Sequence, residues 1–260
     1  MLSGKTALVT GSTSGIGLGI ARKLAAQQAN IVLNGFGDQD QIESTRQSLM
    51  NEFKIQVIYN GADLSRPSEI EKLQKDVLLH FKALDILVNN AGIQHTNLIE
   101  DFPAEKWDQI IAINLSATFH LVRLFLPQMK QKNWGRIINI ASVHGLVGSA
   151  QKVAYVAAKH GIVGLTKVVA LECAEQNITC NSICPGWVLT PLVEKQIHAL
   201  AEKKNVDFQT ASDDLLCEKQ PSKRFTSIDQ LGDLAVFLCS ESASNLTGAS
   251  LPVDGAWIAR

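Results

Sequence analysis

Seven short apolar runs alternate with amphipathic helical stretches along this chain, and few folds accommodate that rhythm. The runs lie at 6–10, 31–34, 56–59, 86–89, 136–140, 179–183 and 250–253. Several are too uniformly apolar for a strand with one wet face, which predicts a parallel sheet covered on both sides. Helical periodicity fills intervening stretches such as 16–27, 68–81, 104–131 and 154–175. Strands alternating with helices predict an α/β, doubly wound parallel sheet of about seven strands with helices on both faces. Right-handed crossovers leave that sheet little topological freedom. No Pro/Gly/Ser linker, low-complexity block or internal repeat divides the 260 residues, so a single domain over 1–260 is expected. One stretch departs from the rhythm. Residues 190–225 carry no strand pattern but a polar, helix-compatible segment at 196–219. An insertion of that size before the last strand predicts a substrate lid.

The first run passes directly into Thr10-Gly11-Ser12-Thr13-Ser14-Gly15-Ile16-Gly17, and a helix pattern follows. Glycines here permit a tight turn and bring backbone N–H groups close to a pyrophosphate at a helix N-terminus. The spacing differs from the common GxGxxG, so the weight comes from its place between first strand and first helix. Gly11, Thr13, Ser14, Gly15, Ile16 and Gly17 are therefore candidate cofactor residues, with a plain tight turn as the alternative. The second strand ends in Asn34-Gly35-Phe36-Gly37-Asp38, with no basic residue there or in the glycine loop. A 2′-phosphate would find no counter-charge, which favours NAD over NADP. The usual acidic partner of the ribose is displaced, because Asp38 lies past the strand end. Phe36 reads either as a packing surface for adenosine or as a loop aromatic docked on the core.

Ser142 follows the fifth run, and Tyr155-Val156-Ala157-Ala158-Lys159 opens the next helix pattern. Positions i and i+4 share a helical face, which sets Lys159 beside Tyr155. A free tyrosine titrates near ~10, and bringing it to ~7 takes about 4 kcal/mol in favour of the phenolate. A lysine cation and a positive nicotinamide, both close in a low dielectric, supply energy of that order. Ser142 would hold the substrate oxygen.

The order of the motifs is more specific than any one of them. The glycine loop, Asn89-Asn90-Ala91-Gly92, Asn114, Ser142, Tyr155, Lys159, Pro185-Gly186 and Val253-Asp254-Gly255 run through the chain as in the short-chain dehydrogenase/reductase family. The chain resembles that family over essentially its whole length, with Ala256 standing where the family often has a second glycine. The resemblance implies a Rossmann-like fold and a hydride-transferring oxidoreductase. It implies that Asn114 holds a water relaying protons from Lys159, a residue that otherwise reads as a helix cap or core amide. It further implies that Asp63 and Leu64 meet the adenine and that Asn90, Ala91 and Gly92 line the cofactor. Pro185, Gly186, Trp187, Val188 and Thr190 would bound its nicotinamide end. Asp63 alone reads equally as a turn carboxylate.

Polar residues also gather around the expected catalytic set. Gln94 and His95 follow the Asn89–Gly92 turn, His144 lies two residues past Ser142, Lys152 precedes Tyr155 by three and so falls near the same helix face, and Gln196 opens the lid segment. One cation among neutral donors suits a single carboxylate, and Trp187 could wall a methyl pocket. Taken singly, Lys152 reads as a solvated lysine, His144 as a cap and Trp187 as core. Together with Leu192-Val193-Glu194-Lys195-Gln196, the set resembles the branch of the family that oxidises (R)-3-hydroxybutyrate with NAD. That resemblance implies that Gln94, His144, Lys152 and Gln196 bind the substrate carboxylate, that Trp187 and Trp257 shape the methyl side, and that the chain forms a homotetramer. A 3-oxoacyl thioester reductase and a non-catalytic NAD-binding protein remain as alternatives.

Composition narrows the partners. With 24 Lys+Arg against 25 Asp+Glu the formal net charge is −1, which argues against nucleic acid. The five cysteines are odd in number and none is spaced CxxC, so neither a disulfide framework nor a zinc site is expected. No apolar run approaches the ~20 residues of a membrane span. No signal-peptide core precedes the first strand, which reads as a cytoplasmic enzyme with no membrane partner and no metal.

Overall fold

The computed structural model describes residues 1–259, and within them every side chain but that of Leu192. Strands β1 (Thr6–Val9), β2 (Asn30–Asn34), β3 (Val57–Asn60), β4 (Ile86–Asn89), β5 (Gly135–Ile140), β6 (Ile178–Pro185) and β7 (Ser250–Val253) form one sheet in the order β3-β2-β1-β4-β5-β6-β7. Every pairing is parallel. The chain winds outward from β1 in one direction and from β4 in the other. The crevice where the direction reverses is where open α/β sheets place ligands.

Helices α1 (Gly15–Ala26), α2 (Gln39–Phe53), α3 (Pro67–Phe81), α4 (Ala104–Ile111), α5 (Ala117–Lys132), α6 (Val153–Glu172), α7 (Pro191–Lys204), α8 (Phe208–Lys219) and α9 (Ile228–Cys239) surround the sheet. Alternate strand residues feed two cores, as a period of two requires. Ala7, Val9, Ile31 and Leu33 meet Ile20 and Leu24 of α1 and Leu231 and Leu238 of α9. Leu8, Val32 and Leu87 point the other way, onto Ile70 and Leu73 of α3 and Leu121 and Phe125 of α5. Helix periodicity does not mark α2 in the sequence because that helix buries just Ile42 and Leu49.

Two stretches, Ala104–Lys132 and Val153–Glu172, are long and apolar enough to cross a bilayer by length and composition. This corrects the expectation that none reaches that length. Leu121, Phe125 and Met129 in the first, and Val169 and Ala170 in the second, lie buried in the core against the sheet, while Phe119, Val168 and Leu171 are exposed.

The segment between β6 and α9 carries α7 and α8, the strand-free stretch marked out by the sequence. Both helices are capped at their starts: the Thr190 hydroxyl accepts from Val193 N at 3.4 Å and Asp207 accepts from Thr210 N at 2.8 Å. Their apolar faces pack on each other through Ile197, Ala201 and Ala211, forming a small core separate from the two under the sheet. The pair is thus built as a unit of its own. Phe125 is completely buried in the α5 core. Phe125→Ala should destabilise the protein by about 3–5 kcal/mol through lost transfer energy and a residual cavity. A urea midpoint unchanged from that of the parent protein would contradict this packing.

Candidate functional site

The carboxyl ends of β1 and β4 are stitched together. Thr10 Oγ1 accepts from Asn90 N at 2.9 Å and Ala91 N at 3.0 Å, while Asn90 Nδ2 donates to Thr10 O at 2.8 Å and Gly11 O at 3.1 Å. The glycine turn sits against this junction. A Cβ on Gly17 would come within 2.5 Å of Asn90 Nδ2, so the helix start can approach the turn so closely at glycine alone. Ser14 caps α1 by position, yet its side chain makes no capping bond, and the first turn holds no acidic residue. The N-terminal N–H groups of α1 therefore face the crevice without a counter-charge, the arrangement a pyrophosphate fits.

A cavity of about 370 Å³ opens at this point, within the range of small-molecule sites. Gly11, Ser14, Gly15, Ile16, Asn90, Ala91, Gly92, Pro185, Gly186, Val188 and Thr190 line it from the cofactor side. Gln94, Ser142, His144, Lys152, Tyr155, Lys159, Trp187, Gln196 and Trp257 line its other end. Six of the expected cofactor and catalytic residues do not line it. Gly17 lies beneath the turn. Thr13 Oγ1 donates to Phe36 O at 2.8 Å, tying the glycine loop to the segment after β2, where Phe36 is 67% exposed. Leu64 is buried in the core with α3. Asp63 accepts from Ser65 N at 2.9 Å and Ser65 Oγ at 2.7 Å, and these bonds hold its carboxyl below the usual range. Asp38 is spent on accepting from Gln41 N as the cap of α2.

Asn114 is the sixth. A π-helical turn, Ala112–Ser116, between α4 and α5 directs its side chain inward, where it is 1% exposed. Its Oδ1 accepts from Ile93 N and its Nδ2 donates to Ile93 O, both at 2.9 Å. In this arrangement the amide clamps the loop after β4, which fits the core-amide alternative read from the sequence.

Tyr155 and Lys159 emerge from α6 on the face that also buries Ala158 and Ile162. Lys159 is 3% exposed, its Nζ donates to Ile140 O at 2.7 Å, and it lies 5.5 Å from the centre of the Tyr155 ring. Burial drives its pKa down to about 8. Burial pushes the Tyr155 phenol up, opposed by its hydrogen bond with the Ser142 side chain. Ser142 stands between the end of β5 and the short turn Val143–Gly145, accepting from His144 N at 3.2 Å.

The carboxylate-binding candidates form a layered group. Lys152 Nζ reaches His144 Nε2 at 3.5 Å and sits 5.5 Å from the Trp187 ring. His144 meets Trp257 edge-on at 5.4 Å and Tyr155 at 6.3 Å, and Trp257 lies 6.1 Å from Trp187. Burial, then the Lys152 charge, takes His144 down to about 4, so it is neutral at ordinary pH. Burial and the nearby Lys219 also lower Lys152. The sequence placed Lys152 on the Tyr155 face of the helix. It instead precedes α6, in a non-helical conformation after the left-handed Gln151 (φ 64). His95 turns away to stack edge-on against Phe102 at 5.4 Å and does not line the cavity. The sequence reading missed Ile93, Ile140, Ala141, Val143, Pro191 and Val193. They are ordinary apolar residues that carry no chemical signature.

A family model described as short chain dehydrogenase matches residues 5–201. The chain belongs to the short-chain dehydrogenase family. It is an oxidoreductase of that family, which sets aside the alternative of a non-catalytic binding protein. A D-beta-hydroxybutyrate dehydrogenase of Cupriavidus necator is 60% identical, with all of both chains covered. One from Rhizobium meliloti is 52% identical over 98% of this chain and 99% of its own. Among solved structures, the L-sorbose reductase of Gluconobacter frateurii, complexed with NADPH and L-sorbose, superposes with a TM-score of 0.95. It is 33% identical over 100% of this chain and 98% of that one.

The lysine of this short-chain dehydrogenase is cationic below about 8 and neutral above, well short of the ordinary 10.5. A side-chain NMR titration of Lys159 should therefore show its midpoint near 8 in the ligand-free protein. A midpoint at the ordinary lysine value would contradict the desolvation described here.

Proposed function

We propose that this short-chain dehydrogenase oxidises (R)-3-hydroxybutyrate to acetoacetate, reversibly, with NAD as its cofactor. The observation that carries this reading is the convergence of Lys152 and His144 with Ser142 and Tyr155 in one cavity walled by Trp187 and Trp257. A cation beside a neutral imidazole suits one carboxylate, and the paired indoles suit a small methyl group. The close similarity to two D-beta-hydroxybutyrate dehydrogenases supports the same substrate. Gln94 and Gln196, which line the same end, supply neutral donors.

In this reading Ser142 holds the substrate hydroxyl and Tyr155 takes its proton as general base, returning it in the reverse direction. Lys159, whose Nζ lies 5.5 Å from the centre of the Tyr155 ring, favours the phenolate through its positive charge, which burial beside Ile140 O makes effective. When bound, the nicotinamide supplies the acceptor for the hydride leaving C3 of the acid. Ser14, Gly15 and Ile16 would hold the pyrophosphate at the start of α1. Gly92, Pro185, Gly186, Val188 and Thr190 would border the nicotinamide, with Thr13, Phe36, Asp63 and Leu64 toward the adenosine. Asn114 acts by fixing the Ile93 backbone at the cavity wall, where a relay water would be held. A nucleotide cofactor is supported by the uncapped start of α1 and by the NADPH-bound relative. The preference for NAD rests on Asn34–Asp38, which offers no cation to a 2′-phosphate.

The helices α7 and α8 serve as the lid over 190–225, bringing Gln196 and Val193 over the acid. The reading includes a cytoplasmic homotetramer. Phe119 on α5 and Val168 and Leu171 on α6 are exposed large apolar side chains, the kind of surface that subunits cover.

Absorbance at 340 nm with (R)-3-hydroxybutyrate and NAD⁺ should report rapid NADH formation, with little rate from the (S) acid or NADP⁺. Turnover of acetoacetyl thioesters with NADPH, and none of free acetoacetate, would replace this reading with that of a thioester reductase. Lys152→Ala should raise KM for the acid about 10–100-fold, as expected for losing a charged hydrogen bond, while KM for NAD⁺ stays near that of the parent. Tyr155→Phe should cut kcat by about 10²–10⁴.

A further inference from the structure

Residues 190–225 leave the domain after Trp187 and return to it at Thr226, and the two ends are bound to each other. Thr226 N donates to Trp187 O at 2.9 Å, Val188 and Thr226 pair as an isolated parallel bridge, and Thr226 Oγ1 donates to Val253 O at 2.8 Å. One side chain crosses this base. Gln220, directly after α8, is 1% exposed. Its Oε1 accepts from Trp187 N at 3.0 Å and its Nε2 donates to Arg224 O. A buried amide from the exit of the lid thus holds the backbone of a cavity-wall residue 33 positions earlier in the chain.

The surroundings leave the amide little room. A Cβ on Gly186 would stand 2.7 Å from Gln220 Oε1 and 3.0 Å from Asp254 Cα. One on Gly255 would stand 2.8 Å from Gln220 Cγ. Ser222 N donates to Gly255 O at 3.0 Å, fastening the same turn to the segment that leads to Trp257. Gln220 does not line the cavity, yet it is braced against the chain on both sides of the indole pair. A carboxamide is suited to this place because it offers one acceptor to Trp187 N and one donor to Arg224 O. Leucine offers neither, and glutamate would set a charged oxygen against a carbonyl.

We propose that Gln220 is a positioning residue that sets the length limit of the substrate, by fixing Trp187 and through it the indole pair that walls the pocket. The inference rests on the reading of the substrate as a 3-hydroxy acid. Loosening Trp187 opens space beyond C4 of the acid without disturbing Ser142, Tyr155 or Lys159.

The test compares kcat/KM for (R)-3-hydroxybutyrate and (R)-3-hydroxypentanoate in the parent, Gln220→Leu and Gln220→Asn. One methylene is worth roughly 10–200-fold in a fitted pocket, and both variants should lose most of whatever preference for the shorter acid the parent shows. The loss should appear in kcat and KM for the short acid, with KM for NAD⁺ near the parent value. A merely structural role lowers the active fraction and scales both substrates alike, so an unchanged ratio would overturn the proposal. Hydrogen exchange on the parent protein gives a measure that needs no variant. The Trp187 amide should be strongly protected while exposed amides of α7 and α8 exchange, and rapid exchange at Trp187 would overturn the latch. Should the parent oxidise neither acid, the substrate reading falls and the length rule with it, while Trp187 exchange still judges the hold of Gln220.

Discussion

The junction at which Thr10 and Asn90 fasten β1 to β4 is the constraint from which the working end of this protein follows. Four hydrogen bonds between 2.8 and 3.1 Å satisfy the backbone where two strands running side by side diverge into different loops. Divergence opens a crevice, and the satisfied polar groups stop it from collapsing. The start of α1 is held at its floor, and the loops after β4, β5 and β6 reach it because all seven strands point the same way. A parallel sheet gathers its functional loops at one edge for this reason. The catalytic geometry is an outcome of strand direction before it is an outcome of any side chain.

Burial then decides the chemistry. Lys159 lies in the wall of the crevice, one hydrogen bond from Ile140 O, and loses much of its preference for the charged state. His144 is driven further, into its neutral form. Desolvation, which dominates both shifts, turns two ordinary bases into a cation that can give up its proton near neutrality and a ring that stays uncharged. The neighbouring Tyr155 moves the opposite way, since burial disfavours the phenolate. All three groups line the same cavity, and in each the largest cause of the shift is burial. The indoles of Trp187 and Trp257 line the same cavity, 6.1 Å apart.

Much of this was legible in the residues themselves. Strand–helix alternation, the turn at Gly11–Gly17 and the i, i+4 pairing of Tyr155 with Lys159 are local patterns, and local geometry translates them directly into structure. The departures came where a local backbone turn or a side-chain contact outside the strand and helix pattern decided the outcome. Lys152 was read onto the α6 face, but the left-handed Gln151 holds it outside the helix, beside His144. His95 was expected among the converging polar groups and is drawn off by Phe102. Helical apolarity in α5 and α6 was underestimated because charged residues break the runs.

Periodicity and spacing in the sequence determine the strands, the helix that presents tyrosine and lysine, and the glycine turn, because each depends on residues within a few positions of one another, and helices between successive strands dictate the parallel sense. What only the tertiary structure decides is how the ends of long excursions meet. Gln220 bonds to the Trp187 backbone, Asn114 to that of Ile93, and Trp257 lies against His144. These contacts join residues separated by 33, 21 and 113 positions, and no local pattern encodes them. They arise because packing the helices on both faces of the sheet brings distant loops to one edge, where buried polar groups must find partners among whatever chain arrives there.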